Sequence, residues 1–214
     1  HWDEKRKAYQ NQTGDIRRGV GMALFSYKTG VWPISLEIAG ARLSLNQDGS
    51  VQLQVGATEI GQGADTVFSQ MAAETLHMDI SRVHIVTQQD TDVTPFDTGA
   101  YASRQSFVTG TAVKECAQQL KQKILEYART LVPGNVDRLE LEDGYILADG
   151  KPAISLEDLA MESYYSLSNS SVLTAEVSRQ VKKNTVASGC CFAEVEVDMK
   201  LGKIKVLDIV NVHD

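Results

Sequence analysis

VGATEIGQGAD runs from Val55 to Asp65 and follows the alternating stretch VQLQV, Val51 to Val55. In that stretch Val51, Leu53 and Val55 share one face and Gln52 and Gln54 the other, which predicts a half-buried strand. After the glycines, Val67, Phe68, Met71, Ala72 and Thr75 recur at helical spacing and predict a helix over Asp65–His77. Gly56, Gly61 and Gly63 therefore sit in a turn that leads from a strand into a helix. Glycine lets a ligand approach the backbone and tolerates positive φ. The first amides of a helix lack partners and its dipole is positive there, so such a turn can accept an anion. Gly-rich turns are common, and taken alone this one reads equally as a plain connection.

The pattern recurs. Val83 to Thr87 reads as a strand, a polar loop follows from Gln88 to Ala102, and a helical pattern runs from Arg104 to Leu131 before Pro133-Gly134 ends it. The two strands enter their helices in the same sense, so both loops are expected at one edge of a sheet. Gln62, Ser103, Arg104, Gln105 and Ser106 would then be side-chain donors to a small anionic or polar ligand. Glu59 could cap a helix end or bond the loop amides and hold their shape, and its place inside the first turn favours the second. Neither loop is a phosphate loop, since no Gly-Lys-Ser/Thr is present, and the glycine spacing is not the dinucleotide fingerprint.

The remaining chain mixes hairpins with helices. Ala41–Leu45 and Val51–Val55 flank the turn Asn46-Gln47-Asp48-Gly49, and Leu139–Glu142 and Tyr145–Ala148 flank Asp143-Gly144. Val20–Tyr27, Val172–Val181, Cys190–Met199 and Lys203–Val212 read as strands, Ser155 as the cap of a short helix, and Ser163–Ser171 as a loop. The fold class is α+β, with two-layer mixed sheets and packed helices. The expected organisation is a lead-in over 1–18, a βαβα-like lobe carrying both loops over 19–135, and a second lobe over 136–214. The first residue is not Met and the last strand pattern ends with the chain, so a portion of a longer subunit is expected, its second lobe truncated.

Composition narrows the partners. The chain has 214 residues, 43% of them hydrophobic, which suffices for a sizeable core. A net charge of −7, with only Lys5-Arg6-Lys7 as a basic run, argues against nucleic acid and anionic membrane. No apolar run is long enough to cross a bilayer. Cys116, Cys190 and Cys191 are odd in number, which argues for a reducing, cytoplasmic setting. His1, His77, His84 and His213 have no metal-ligand spacing, Asp90, Asp92 and Asp97 read as turn formers, and Ser103 lacks a sequence-local base.

GATEIGQG, Gly56 to Gly63, resembles the glycine-rich cofactor segment of the xanthine dehydrogenase and aldehyde oxidase family of molybdenum hydroxylases. TPFDTGAYASRQSFVTGTAV, Thr94 to Val113, resembles that family's next cofactor segment, and FAEVEVDMKLGKIKVLDIVNVHD fits its continuation. The wording TPFDTGAYASRQS is nearest to bacterial members that act on purines or related N-heterocycles. The resemblance runs from Gly19 to Asp214 and implies a molybdenum-cofactor-binding domain of the xanthine dehydrogenase type. It implies that Gly61, Gln62 and Gly63 hold the pyranopterin and its phosphate. Ala102, Ser103, Arg104, Gln105 and Ser106 would form a second wall, with the Ala102 backbone close to molybdenum. The cofactor would be molybdopterin, alone or as its cytosine dinucleotide. Its own sulfurs hold the metal, so no His/Cys cluster is required.

The family's catalytic glutamate lies downstream of this chain, and no catalytic residue is assigned here. Iron–sulfur clusters and FAD belong to other modules. Implied partners are other segments of the same subunit, iron–sulfur and flavin subunits or domains, and a small heterocyclic substrate. The implied reaction is hydroxylation of a purine or related N-heterocycle with oxygen from water, in purine catabolism. The chain by itself is expected to be inactive and to hold no cofactor. The alternative is a non-catalytic binding or interaction module that kept the fold.

Overall fold

A computed structural model describes residues 1–214. In chain order the elements are α1 (Trp2–Ala8), β1 (Ile16–Thr29), β2 (Ile38–Leu45), β3 (Val51–Val55), α2 (Ala64–Leu76), β4 (Val83–Ile85), α3 (Gln105–Leu131), β5 (Leu139–Glu142), β6 (Tyr145–Ala148), β7 (Lys151–Ser155), α4 (Leu156–Tyr165), β8 (Thr174–Gln180), β9 (Thr185–Asp198) and β10 (Lys203–His213). They fall into two units, residues Gly30–Lys183 and residues His1–Thr29 with Asn184–Asp214.

The unit Gly30–Lys183 is built on a four-stranded sheet in the order β4-β3-β2-β8. The alternation seen in the sequence turns Ala41, Leu43 and Leu45 of β2 and Val51, Leu53 and Val55 of β3 inward, all at 1% exposure or less. Phe68, Ala72 and Leu76 of α2 and Val113, Leu120 and Ile124 of α3 join them in one core. At the meeting of α2 and α3, Gly110 lies under the Met71 side chain, and a Cβ there would lie 2.7 Å from Met71 Sδ, so the thioether would have to shift to admit a larger residue. β3 pairs with β4 in parallel, Val51 with Val83 and Leu53 with Ile85. Parallel neighbours end at the same side, so the loops after β3 and β4 emerge together at one sheet edge.

The boundary expected near residue 135 falls inside this unit. Leu139, Leu141, Ile146, Leu156 and Leu159 belong to the same buried cluster as α3, so no break in packing follows that helix. β5, β6 and β7 form a separate antiparallel sheet of three strands. Its edge strand β7 contains Pro152, which masked it in the sequence, yet an edge is where a strand tolerates proline. The Ser155 hydroxyl accepts from the Asp158 amide at 3.0 Å, which caps α4 as the sequence predicts. The helix then runs to Tyr165, beyond the expected loop start at Ser163, because Leu156, Leu159, Ala160 and Ser163 form one buried stripe.

The other unit is an antiparallel sheet in the order β1-β9-β10. β1 pairs with β9 continuously from Ile16 opposite Asp198 to Thr29 opposite Thr185. The lead-in over 1–18 contains α1, whose Trp2 ring meets Phe192 edge-on with centroids 5.3 Å apart. Lys5 and Tyr9 both donate to the Glu194 carboxylate.

Candidate functional site

The two loops interlock. Gly56 closes against the second loop: an added Cβ would collide with Pro95 O and lie 2.8 Å from Asp97 N. Gln89 Nε2 donates to Ala57 O at 2.6 Å, and the Thr58 hydroxyl meets Gln89 Oε1 at 3.0 Å. Gln105, the first residue of α3, donates to Thr58 O at 3.0 Å and accepts from Gln62 Nε2. Gln62 Oε1 in turn accepts from Ile60 N at 2.7 Å. The structure thus joins Gln62 and Gln105, which stand 43 residues apart in sequence. Gly61 and Gly63 take φ of 98° and 84°, a region costly for residues with a side chain, and nothing lies within 4 Å of a Cβ built on either.

The two helix starts differ. Glu59 Oε1 accepts from Gly61 N at 2.7 Å and Gly63 N at 3.1 Å, and Oε2 accepts from Asp65 N at 3.1 Å. Donation from the amides of Asp65 and Gly63 holds its carboxyl below the usual carboxylate value. Glu59 therefore shapes the loop, as the sequence suggests, and also supplies the anion at the start of α2. The start of α3 receives no side-chain cap and has no acidic residue in its first turn. Ser103 and Ser106 flank it, both exposed.

Behind this open end lies a buried ion cluster. Arg104, Glu37 and Asp97 have side chains at 0% exposure. Arg104 Nε donates to Glu37 Oε2 at 2.6 Å, and Nη1 to Asp97 Oδ1 at 2.6 Å. Burial acts to lower the guanidinium pKa, but the Glu37 hydrogen bond and the Asp97 charge outweigh it and the pKa is raised. Immediately before Arg104, Ala102 and Ser103 both take left-handed φ, 48° and 52°. Such a conformation costs about 1–3 kcal/mol per non-glycine residue and persists only where neighbours enforce it.

Arg104, expected from the sequence to be a donor toward a ligand, directs its guanidinium bonds inward. Asp97, read as a turn former, and Glu37, not singled out at all, are the partners. The signal for Glu37 was a lone acid within ISLEIAG, Ile34 to Gly40, at the start of a buried strand. No group of three or more His, Cys, Asp or Glu side chains is placed to hold a metal ion.

The molybdopterin cofactor-binding domain family matches residues 1–214. The chain belongs to this family. It is 48% identical over 216 residues, its whole length, to the putative xanthine dehydrogenase molybdenum-binding subunit of Escherichia coli K12, and spans 29% of that protein. It is 31% identical over 194 residues, 91% of its length, to the probable hypoxanthine oxidase of the same organism, and spans 20% of it. Among solved structures, quinoline 2-oxidoreductase from Pseudomonas putida 86 shares the fold over the whole chain, with a TM-score of 0.79 and 22% identity, and the chain spans 28% of it. The α+β class and the molybdenum-cofactor-domain architecture read from the two loop motifs are thus those of the family.

Proposed function

We infer that this chain forms part of the cofactor pocket of a xanthine dehydrogenase-like molybdenum hydroxylase acting on a purine or related N-heterocycle. One observation carries the reading: the uncapped start of α3, beside the Gln62–Gln105 pair and the open Gly61–Gly63 turn. The exposed polar side chains around it, Gln62, Ser103 and Ser106, are neutral and stand at a positive helix end. That set suits an oxygen-rich anionic group, and the residues fit a pyranopterin phosphate.

In this reading Gln62 and the open, side-chain-free faces of Gly61 and Gly63 line one side of the pterin, the amides of both glycines being taken by Glu59, and Ala102, Ser103, Gln105 and Ser106 line the other. Arg104 belongs to the wall through its backbone. The start of α3 offsets the phosphate charge, and the left-handed turn directs the Ala102–Ser103 backbone toward the cofactor. When bound, the molybdenum centre supplies the two-electron chemistry that inserts oxygen from water, and this chain supplies position and electrostatics. No catalytic acid or base is assigned to it. Iron–sulfur and flavin modules, the other segments of the subunit and a cytoplasmic setting complete the proposal. No helix is long and apolar enough to cross a membrane.

The test copies Glu59 onto the second helix. Ser106→Glu, in the protein expressed with its native flanking sequence, places a carboxylate in the first turn of α3. It should leave thermal stability unchanged or slightly raised, by up to about 1 kcal/mol, and should lower molybdenum content by elemental analysis. Unchanged molybdenum content would remove the start of α3 from the pocket. Heavy oxygen from labelled water should appear in the oxidised purine, and a protein that binds the cofactor without turnover would be the non-catalytic module.

A further inference from the structure

We propose that Glu37 and Asp97 are positioning residues for the cofactor wall, acting through Arg104 to fix the left-handed Ala102–Ser103 turn. The inference rests on the proposed function for the identity of the wall. The mechanics rest on the cluster alone.

Arg104 uses three nitrogens in four directions. Nε reaches Glu37, Nη1 reaches Asp97 and also Gly99 O at 3.0 Å, and Nη2 reaches Ile38 O at 2.7 Å. The last of these fastens the loop to the first residue of β2. Bonds to Asp97 and Gly99 close the segment 97–104 on itself. Each carboxylate is fixed in turn. Glu37 Oε1 accepts from Val31 N at 2.5 Å. Asp97 accepts from Gly99 N at 2.8 Å and from the Thr109 hydroxyl, one turn into α3, at 2.7 Å. Two carboxylates face one guanidinium, and these three neutral donors take up the excess negative charge.

The strained residues lie inside this closed segment. Ala102 O accepts from Gly30 N at 2.8 Å, and the Tyr101 ring lies over the guanidinium, 5.4 Å from its carbon. Ser103 is exposed and has no hydrogen-bond partner of its own, so its φ is dictated by the residues on either side. Without the fork, Ala102 and Ser103 would relax to the conformations that residues with a Cβ prefer. The chain would then lose a preformed wall and would have to order it on binding. Lysine cannot substitute, because a point charge cannot reach four fixed acceptors.

Two variants of the protein with its native flanks test this, Thr109→Val and Arg104→Lys. Each is purified without cofactor for amide exchange and with cofactor for elemental analysis. Thr109→Val removes one donor to Asp97 and keeps the shape of α3. Exchange at Gly30, Gly99 and Arg104 should quicken about tenfold, while exchange in the β3 ladder stays at its original rate, since local opening is independent of the sheet. Molybdenum content should fall in step. Arg104→Lys should show the larger effect, and if it fails to fold, Thr109→Val decides alone. Equal acceleration in the loop and β3 would reduce the cluster to general stability and overturn the proposal. Faster loop exchange with molybdenum content intact would overturn it equally. The outcome is separable from that of the proposed function. If Ser106→Glu retains molybdenum, the pocket lies elsewhere, and the exchange data still report whether the cluster holds the turn.

Discussion

The β3–α2 and β4–α3 connections are built alike and finished differently. Each leaves a parallel strand, turns through residues at positive φ and starts a helix at the same sheet edge. At α2 the chain provides its own anion, and Glu59 takes the amides of Gly61, Gly63 and Asp65. At α3 the cap residue is Arg104 itself, and its guanidinium is turned inward onto Glu37 and Asp97. The first loop is held from its mouth and the second from behind. Holding a loop from behind leaves its mouth available to a ligand. Likeness of two loops in sequence therefore does not make them equivalent as sites, since the position of one carboxylate decides which helix end is open.

The largest expected effect breaks the second arrangement. Arg104→Met keeps the apolar stem but leaves Glu37 and Asp97 facing each other at 0% exposure. Removing one partner from a buried ion cluster costs about 3–5 kcal/mol. Denaturant unfolding should show a loss of this size, and a loss under about 1 kcal/mol would mean that water reaches the cluster.

A smaller effect probes the first arrangement through pH. The Glu59 carboxyl titrates below its unfolded value because its anion accepts from the Asp65, Gly63 and Gly61 amides. A group with a depressed folded pKa stabilises the fold above the unfolded carboxylate pKa, and that contribution disappears as pH falls through the folded value. Glu59→Gln should therefore be less stable than the parent at neutral pH and should converge with it in acid. A stability difference that stays constant from neutral to acid pH would mean that the charge on Glu59 plays no part.

How far the sequence discloses this follows from the range of each signal. Alternation in VQLQV and helical spacing after Asp65 are local, and both elements lie where the pattern puts them. The shared sheet edge was also legible, because two strand-to-helix turns in the same sense imply parallel neighbours. The Arg104 cluster was not legible. Its members stand 67 and seven residues from the arginine, and a buried ion pair has no periodicity. Nor does a sequence reveal that Ala102 and Ser103 are left-handed, since neither is a residue type that favours that region. β7 was hidden by Pro152, and the last turns of α4 by their serine and tyrosines.

The smallest expected effect on stability falls at Gln62, where the two loops meet. Its side chain accepts from Ile60 N at 2.7 Å, donates to Thr58 O at 3.1 Å and meets Gln105 Oε1. Because Gln62 is exposed, water can replace each of these bonds when alanine is introduced. Gln62→Ala should therefore cost the cofactor-free protein only about 0.5–1.5 kcal/mol, the net worth of one ordinary hydrogen bond. Cofactor retention should suffer more. A hydrogen bond to a charged acceptor is worth about 1.5–3 kcal/mol, or roughly tenfold to a hundredfold in affinity. Gln105 would also lose the neighbour that orients its amide. Thermal melting of the cofactor-free protein and molybdenum content of the loaded protein should thus move by unequal amounts. Equal losses in both would make Gln62 a stitch between the loops and nothing more. Normal molybdenum content with a small melting shift would assign ligand binding to the start of α3 alone, making the two loops less alike in role than in build.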